Sequence, residues 1–571
     1  MTQRKNDSRG LFIGEDGSSL LFTFILVTSL FLLWGICNGL IDVMDKHFQD
    51  ELGLSRAQSA WVQFAHYLGY FLMSIPAGWL AGRLGYKGGI IAGLLMVGLG
   101  GFWFIPASHI AAFWAFLLGV CVVACGLTFL ETVANPYTTV LGPKQYAATR
   151  INLAQSCNGV GWFFGPIAGG LFFYGKDAAG RDTGSQTLWI PYAGVAIVVV
   201  LLAVIFYFAS VPDIKTEDEY HLEDQEANGG AAAVPRQVNR GPVYCLLVAN
   251  VAVLVGVFGM ICWIIFSSLG AGQHLISLAA NLPHPGIAEV TDGSALLIAL
   301  AWAGVLCVAL AAVALFPVAR RISHHSIWSH EHFSGATLAQ FFYVAAQAGI
   351  FSFLINYMIA EPPALPASWP SAVQHLAAAF PAFMQDFFGG WFDTNKTGAL
   401  CVSNKFASYL ASFGFLWFLA GRVTGAALLK RCSAHKVLGL YGVVNTVVTF
   451  LVFCKLGWLS VACVFLSYFF MSIMFPTIFA LGIYGLGVRA KRASAYIVMG
   501  IVGGALLPKL MGAVADAYNM STGFIVPMAC FVVIAGYGYC WPRLSKAESL
   551  HGTGPAGGEA ASLEAARANS H

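Results

Sequence analysis

The stretch GLTFLETVANP (Gly126–Pro136) lies in an apolar run at about 110–138 and contains one charged residue, Glu131. A helix needs about 20 apolar residues to cross the roughly 30 Å of hydrocarbon in a bilayer, and this run is longer than that. An ionisable side chain inside such a span is costly, so its position is a candidate functional site. The stretch therefore predicts a membrane-spanning helix with a functional carboxyl group.

Similar apolar runs recur along the whole chain. Of its 571 residues, 58% are hydrophobic and 10% are charged, whereas soluble chains carry about 25% charged residues. We therefore predict an all-α polytopic membrane protein with about fourteen transmembrane helices. The other runs lie at about 20–44, 57–80, 86–106, 152–174, 189–211, 242–268, 293–318, 336–360, 402–426, 436–454, 457–484, 494–516 and 522–541.

Lysine and arginine are concentrated in alternate loops, which indicates the cytoplasmic side. Loops holding Arg83, Lys144 and Arg320 lie on one side, whereas the segment at about 269–292 on the other side has none. We expect a multi-pass protein of the plasma (inner) membrane with both termini cytoplasmic. The net charge of +3 gives no indication of a nucleic-acid partner, and we expect a monomer.

An internal repeat divides the chain into two halves. The same pattern, a glycine and a basic residue at the end of one span and a lysine at the start of the next, occurs twice, about 340 residues apart. We expect these loops to switch conformation, since two similar halves around a cavity suit alternating access. The loop residues are Gly78, Arg83, Lys87, Gly425, Lys430 and Lys436.

The predicted domains follow from this division. They are a cytoplasmic N-terminal segment (1–19), a six-helix bundle (20–211), a cytoplasmic linker (212–241), an inserted helix pair (242–320), a second six-helix bundle (336–541) and a disordered cytoplasmic tail (545–571).

Two carboxyl groups are candidates for proton binding. Glu131 has no lysine or arginine within a dozen residues, so it should be protonatable near neutral pH; alternatively, it is a neutral acid that ties helices together. Asp42 shares a helical face with Asn38. The alternative for Asp42 is a position in the external interface, beside Asp45 and Lys46.

Several amides and aromatic rings are candidates for sugar binding, because amides match hydroxyl groups as donors and acceptors. The alternative is hydrogen bonding between helices. The candidates are Asn135, Gln155, Asn158, Tyr343, Gln347 and Asn356.

Two further features are interpreted as structural. We expect Lys509 to extend to the membrane interface. The loop with His324, His325, His330 and His332 is interpreted as a solvated basic loop, and no metal site is predicted.

Four stretches carry a family resemblance. They are GLTFLETVANPYTTVLGP (126–143), INLAQSCNG (151–159), LAQFFYVAAQ (338–347) and MSIMFPTIFALGIYGLG (471–487). The sequence resembles the major facilitator superfamily and, within it, the fucose permease (fucose:proton symporter) family, close to the glucose/galactose transporter branch.

The resemblance implies inward transport of one monosaccharide driven by protons, with no other cofactor. It implies coupling roles for Asp42 and Glu131 and sugar-binding roles for Gln155 and Asn158. The chain departs from the family pattern at Asn38-Gly39, where the family has paired asparagines. It also departs at Phe475, a further candidate sugar contact, where the family has a tyrosine.

We therefore expect a sugar symporter rather than an enzyme, with L-fucose as the first candidate substrate and glucose, galactose or another hexose as alternatives. A membrane-embedded transferase would need an acid or histidine cluster at a membrane face. A sugar sensor without transport activity would need a longer folded tail than residues 545–571.

Overall fold

The computed structural model describes most of the chain. The described residues are 12–13, 19–141, 147–174, 188–212, 240–266, 274, 277–278, 281–283, 292–322, 326–381, 388–394, 398–429, 432–484, 486 and 490–545. Most of the predicted linker, nearly all of the predicted tail, and His324, His325 and Lys430 lie outside these residues.

Long helices make up nearly all of the described chain. Those before the predicted linker are α1 (Leu21–Leu52), α2 (Arg56–Ser59), α3 (Trp61–Ile110), α4 (Phe113–Val140), α5 (Ala147–Phe173) and α6 (Trp189–Phe208). The inserted pair is α7 (Arg240–Phe266) and α8 (Asp292–Arg321).

The second half begins after a short 3₁₀ turn (Ile327–Ser329). Its helices are α9 (Glu331–Ala360), α10 (Trp369–Ala378), α11 (Asn404–Leu429), α12 (Ala434–Phe453), α13 (Trp458–Met471), α14 (Met474–Ile483), α15 (Ala490–Met499), α16 (Gly503–Ala517), α17 (Met520–Gly523) and α18 (Ile525–Ser545). A two-stranded antiparallel hairpin, β1 (Phe392–Thr394) and β2 (Leu400–Val402), lies between α10 and α11.

The predicted all-α polytopic fold is confirmed, since each predicted span corresponds to a helix or to a run of short helices. Among the described residues, twelve segments have the length and apolarity needed to cross a membrane. The first part of α3 and α5 account for the other two predicted spans.

Helix boundaries differ from the predicted ones in three places. Helix α3 consists of two helices that meet at a kink, because Gly85 has a non-helical conformation (φ 71°, ψ −178°) that favours glycine; the two predicted spans therefore meet there without an intervening loop. The span predicted at 457–484 is broken at Ser472 and Ile473. The span predicted at 494–516 contains a 3₁₀ turn at Gly500–Val502.

The helices form two bundles that meet along the centre of the molecule. The first bundle (α1 and α3–α6) is held by packing of α1 on α5 and of α3 on α4 and α6. In the second bundle (α9 and α11–α18), α9 packs on α16 and α18, and α12 packs on α18. The bundles meet where α5 contacts α11, α1 contacts α9, and α3 contacts α16. The inserted pair packs on α9 and α16.

Glycines allow the closest approach between α1 and α5. A Cβ atom on Gly39 would lie 2.8 Å from Cδ of Pro166 and 3.0 Å from Cα of Gly165, so neither helix could keep its position if that glycine were larger. A Cβ atom on Gly35 would overlap the main-chain oxygen of Asn158. Small residues at crossing points are a typical device for packing helices within membranes.

The turn after α1 closes one end of the first bundle. Helix α1 ends at Gly53, which adopts a left-handed conformation (φ 62°). Helix α2 is preceded by its N-cap residue Ser55, whose side chain and that of Gln58 form a reciprocal capping box. We call the end of the molecule that holds residues 53–60 the distal face, and the end at which α1 begins the proximal face.

Candidate transport site

Five residues with polar groups lie on one face of α1 and follow its length at helical spacing. We call this row, Trp34, Asn38, Asp42, Asp45 and Gln49, the polar seam; intervals of three or four residues place its members on the same face. Asp42 is 6% exposed and Asp45 is 0% exposed. Since α1 continues to Leu52, well beyond the predicted end at 44, both carboxyl groups lie inside the helix bundle.

The polar seam contacts α2 and α3 along its length. The indole Nε1 of Trp34 donates to the hydroxyl of Tyr70 at 2.7 Å. One side-chain amide, Gln63 Nε2, donates to Oδ1 of Asp42 at 3.0 Å. Nearer the distal face, Gln49 Nε2 donates to Ser59 Oγ at 2.8 Å. These bonds fix the rotation of α1 relative to α3.

The seam also contacts the second bundle through α9. The hydroxyl of Ser352 donates to Asp42 Oδ1 at 3.5 Å. Further toward the distal face, Asn356 Nδ2 donates to Gln49 Oε1, and Gln49 Nε2 lies 3.4 Å from Asn356 Oδ1. The alternative that Asp42 lies in the external interface is therefore wrong: it is buried where the two bundles meet.

Glu131 lies on α4 and is 3% exposed. Its Oε2 atom has no hydrogen-bond partner among the described residues. The hydroxyl groups of Tyr67 and Tyr70 interact electrostatically with Glu131, and Tyr67 also interacts with Asp42 and Asp45. Tyr67 is therefore within electrostatic reach of both the seam and Glu131, which links the acids of α1 and α4.

An aromatic cluster joins the bundles beside this region. The ring of Trp162 on α5 packs against Phe351 of α9 and Phe415 of α11, with centroid distances of 5.4 and 4.8 Å. Phe351 stacks on Tyr468 of α13 at 4.5 Å, and Tyr468 interacts electrostatically with Asp42. Because aromatic faces pack well against apolar surfaces, the cluster offers a platform for the apolar face of a small ligand.

The amides predicted in α4 and α5 have different environments. Asn158 is buried and its Nδ2 donates to the main-chain oxygen of Phe31 at 3.2 Å, which is the interhelical bond that was the alternative for this residue. Gln155 is half-buried, and its main-chain oxygen accepts a bond from Arg422. The side chain of Asn135 is outside the described part of the structure.

The candidates of the second bundle also differ in their contacts. Tyr343 is fully buried and donates its hydroxyl to the main-chain oxygen of Met471 at 3.1 Å. Phe475 packs edge-on against Tyr343 at 6.3 Å, and Gln347 is half-buried. Asn356, in contrast, lies toward the distal face and links the bundles through Gln49.

Arg422 is a buried residue that the sequence did not single out. Its Nη1 donates to the main-chain oxygen of Gln155 at 2.9 Å, across the bundle boundary, and its Nε donates to that of Ser472 at 3.3 Å. The guanidinium also lies 4.8 Å from the ring centroid of Phe418. Arg422 thus joins α5, α11 and the break between α13 and α14.

The prediction for Lys509 is wrong. This residue on α16 is 3% exposed, and its Nζ lies 3.1 Å from the ring centroid of Trp61. Because α3 and α16 pack together where the bundles meet, the ammonium group is enclosed there and does not reach the membrane interface. A cation over an indole face is a favourable alternative to water.

Further contacts hold the bundles together at the distal face. Arg56 Nη1 donates to the main-chain oxygen of Ala515 at 2.8 Å, and Arg56 also pairs with Asp516 at 4.0 Å. Asn404 Nδ2 donates to Asp50 Oδ2 at 2.5 Å. In this conformation the distal face of the polar seam is closed.

The residues of the predicted switch loops differ in their contacts and in their exposure. The guanidinium of Arg83 lies 4.1 Å from the ring centroid of Trp79, and Lys87 Nζ donates to the main-chain oxygen of Ala209 at 2.9 Å. Gly78 and Lys436 are exposed, whereas Gly425 is buried, with no room for a Cβ atom beside Ile473.

Within the described part of the chain, no group of three or more His, Cys, Asp or Glu side chains could hold a metal ion. The interpretation of the histidine loop as solvated is wrong for His332, which is 2% exposed and whose Nε2 contacts the main-chain oxygen of Tyr484 at 2.9 Å. His330 Nδ1 contacts the main-chain oxygen of Ser326 at 3.2 Å.

Some residues missed at the sequence level have a recognisable pattern. Gln63, Tyr67 and Tyr70 recur at intervals of four and three residues in an apolar span, which is a polar stripe on one helical face. The partners of this stripe, in contrast, depend on which helices meet, and a single span does not contain that information.

Two related bundles around a buried acidic seam define a membrane transporter of the alternating-access type. The sequence profile of the Major Facilitator Superfamily matches residues 19–376. The chain belongs to this superfamily, and the predicted resemblance is confirmed.

Similar proteins come from bacteria. The chain is 29% identical over 529 residues to the L-fucose-proton symporter of Escherichia coli (strain K12), covering 90% of this chain and 92% of the relative. It is 26% identical over 518 residues to a glucose/galactose transporter of Brucella abortus, covering 90% and 93%. A crystal structure of the E. coli fucose:proton symporter matches with a TM-score of 0.53 and 26% identity, over 91% of this chain and 98% of that one.

Proposed function

We propose that this protein is a proton-coupled symporter that imports a monosaccharide by alternating access. L-Fucose is the first candidate substrate, and glucose, galactose or another hexose are alternatives. The names of the similar proteins support both sets, since they include an L-fucose-proton symporter and glucose/galactose transporters.

The observation that carries the proposal is the burial of Glu131 and Asp42 without a basic partner. Among the described residues, no lysine or arginine makes an ion pair or hydrogen bond with either carboxyl group. A charged carboxylate in apolar surroundings costs several kcal/mol, so closing the bundles over an ionised Glu131 is unfavourable. Protonation removes that cost, and this dependence couples closure to proton binding.

Sugar binding is supported by the chemistry beside these acids. Carboxylate oxygens at Asp42 and the amide of Gln155 match sugar hydroxyl groups, and the aromatic cluster of Trp162, Phe351, Phe415 and Tyr468 matches the apolar face of a pyranose. Six further residues remain proposed contacts of the sugar: Asn38, Asn135, Asn158, Tyr343, Gln347 and Phe475. Asn356, in contrast, is better assigned to closing the distal face.

The direction of transport follows from the predicted orientation. We place both termini in the cytoplasm of a cell bounded by the inner membrane, so that the distal face is external. Glu131 then takes a proton and the sugar enters while the distal face is open. The contacts of Gln49 and Arg56 then form and close the distal face, and the proton and the sugar are released on the proximal side.

Uptake of labelled sugar into proteoliposomes tests the proposal. With an inward proton gradient, one hexose of a panel containing L-fucose, D-glucose and D-galactose should accumulate above its external concentration, and a protonophore should abolish this accumulation. Uptake of a hexose that stops at equal concentrations with or without the gradient would contradict proton coupling. The absence of uptake for every hexose would contradict sugar transport.

A further inference from the structure

Asp45 is a buried acid for which the proposed mechanism has no role. It lies in the polar seam one turn beyond Asp42 and is 0% exposed. Both of its carboxyl oxygens lack a hydrogen-bond partner among the described residues, and so does Oδ2 of Asp42. Three buried acceptor atoms on two neighbouring acids therefore have no donor.

The two acids share one environment. Asp45 interacts electrostatically with Asp42, and both interact with the side chains of Gln63 and Ser352. However, Gln63 donates its well-formed hydrogen bond to Oδ1 of Asp42 at 3.0 Å, and Ser352 reaches the same oxygen at 3.5 Å. Asp42 is therefore the better site for a negative charge, and Asp45 is the acid that burial leaves without compensation.

Among the described residues, no lysine, arginine or histidine side chain is found to interact with Asp45. The other titratable neighbours are hydroxyl groups: Tyr67 on α3, Tyr174 after α5 and Tyr192 on α6 each interact electrostatically with it. On α1 itself, Lys46 is paired with Asp50 at 2.5 Å. The interactions of Asp45 therefore include no positive charge.

Two carboxyl groups that share a site cannot both remain ionised when water is excluded. A proton held by Asp45 could be donated to Oδ2 of Asp42, which would give both acids a partner and leave one charge for the donors Gln63 and Ser352. As the distal face closes, the pair takes up one proton from the external side. When the proximal side opens and water solvates the pair, the pair can carry two charges and releases that proton on the proximal side.

We propose that the Asp42–Asp45 pair is a second proton-binding site, so that each transport cycle carries two protons, one on the pair and one on Glu131. The inference rests on the proposed symport function and extends it. A neutral sugar transported with two protons moves two charges, so the proton-to-sugar ratio is open to electrical measurement.

The test is the membrane potential that stops net sugar flux through the protein in proteoliposomes at equal pH on both sides. Against a tenfold sugar gradient, two protons per sugar require about 30 mV and one proton requires about 59 mV. The native protein should give about 30 mV, and Asp45→Asn, which removes the second proton site and preserves the shape of the side chain, should give about 59 mV.

Two further variants complete the test. Asp45→Glu keeps an ionisable group and should stay near 30 mV. The matched control Asp393→Asn, at an exposed position in β1, should also stay there. A value near 59 mV for the native protein would overturn the inference even if Asp45→Asn did not fold, and so would a value near 30 mV for Asp45→Asn. Either result leaves symport intact, whereas sugar flux that responds to neither potential nor pH contradicts the proposed function itself.

Discussion

Replacing Asn356 with alanine should open the distal face, because it removes the amide pair that joins α1 to α9. Two hydrogen bonds to Gln49 are lost, and each contributes about 0.5–1.5 kcal/mol net. Gln49 Nε2 retains its bond to Ser59, whereas Gln49 Oε1 loses the donor that Asn356 supplies in the closed form. We therefore expect the closed form to lose about 1–3 kcal/mol relative to the open form, a shift of about 5–150-fold.

Hydrogen–deuterium exchange of the protein in lipid nanodiscs measures this shift without altering its native cysteines. Peptides that include residues 53–60 should exchange faster in Asn356→Ala by a factor in that range, while peptides of the proximal face should not exchange faster. The matched control is Asn445→Ala, since Asn445 is buried inside the second bundle on α12. If the distal peptides exchange at the native rate, or accelerate equally in the control, the assignment of Asn356 to distal closure is refuted.

Two substitutions test the packing of the helices, with thermal unfolding of the purified protein in detergent as the measurement. Gly35→Ala should destabilise by about 1–3 kcal/mol because its Cβ would overlap the oxygen of Asn158, whereas Gly194→Ala, with open space around it, should be neutral; equal effects would contradict the close crossing of α1 and α5. Arg422→Met should cost about 1.5–3 kcal/mol for each lost bond to a main-chain oxygen, and the exposed Arg320→Met should cost little. A native melting temperature for Arg422→Met would contradict its role in joining α5 to α11.

The transmembrane helices could be predicted from the sequence because the bilayer sets a minimum apolar length that is visible in any single span. The exceptions have a common cause. Helix α1 is longer than predicted because Asp42, Asp45 and Gln49 resemble residues of an aqueous loop, whereas they are accommodated inside the bundle by partners from α2, α3 and α9. The kink at Gly85, in contrast, agrees with the predicted boundary between two spans, because a glycine with φ 71° interrupts α3 there.

The candidate site could be predicted only as far as isolated residues show it. Glu131 and Asp42 were found because an acid in an apolar run is unusual. The residues around these two acids were not predicted. Gln63, Ser352 and the aromatic rings have no unusual feature in the sequence, and they form a site only because several helices bring them together. Lys509 illustrates the same limit: its partner ring on Trp61 belongs to the other bundle, so sequence position alone favoured the membrane interface.

The central claim is that the carboxyl group of Glu131 binds and releases the coupling proton, and Glu131→Gln tests it most directly. The glutamine has nearly the same shape and cannot ionise, so the bundles can still close over a bound sugar. In proteoliposomes this variant should exchange labelled for unlabelled sugar at a rate near that of the native protein, yet fail to accumulate sugar under an imposed proton gradient. The exposed Glu51→Gln should behave as native in both assays. Accumulation by Glu131→Gln at the native level would contradict the claim.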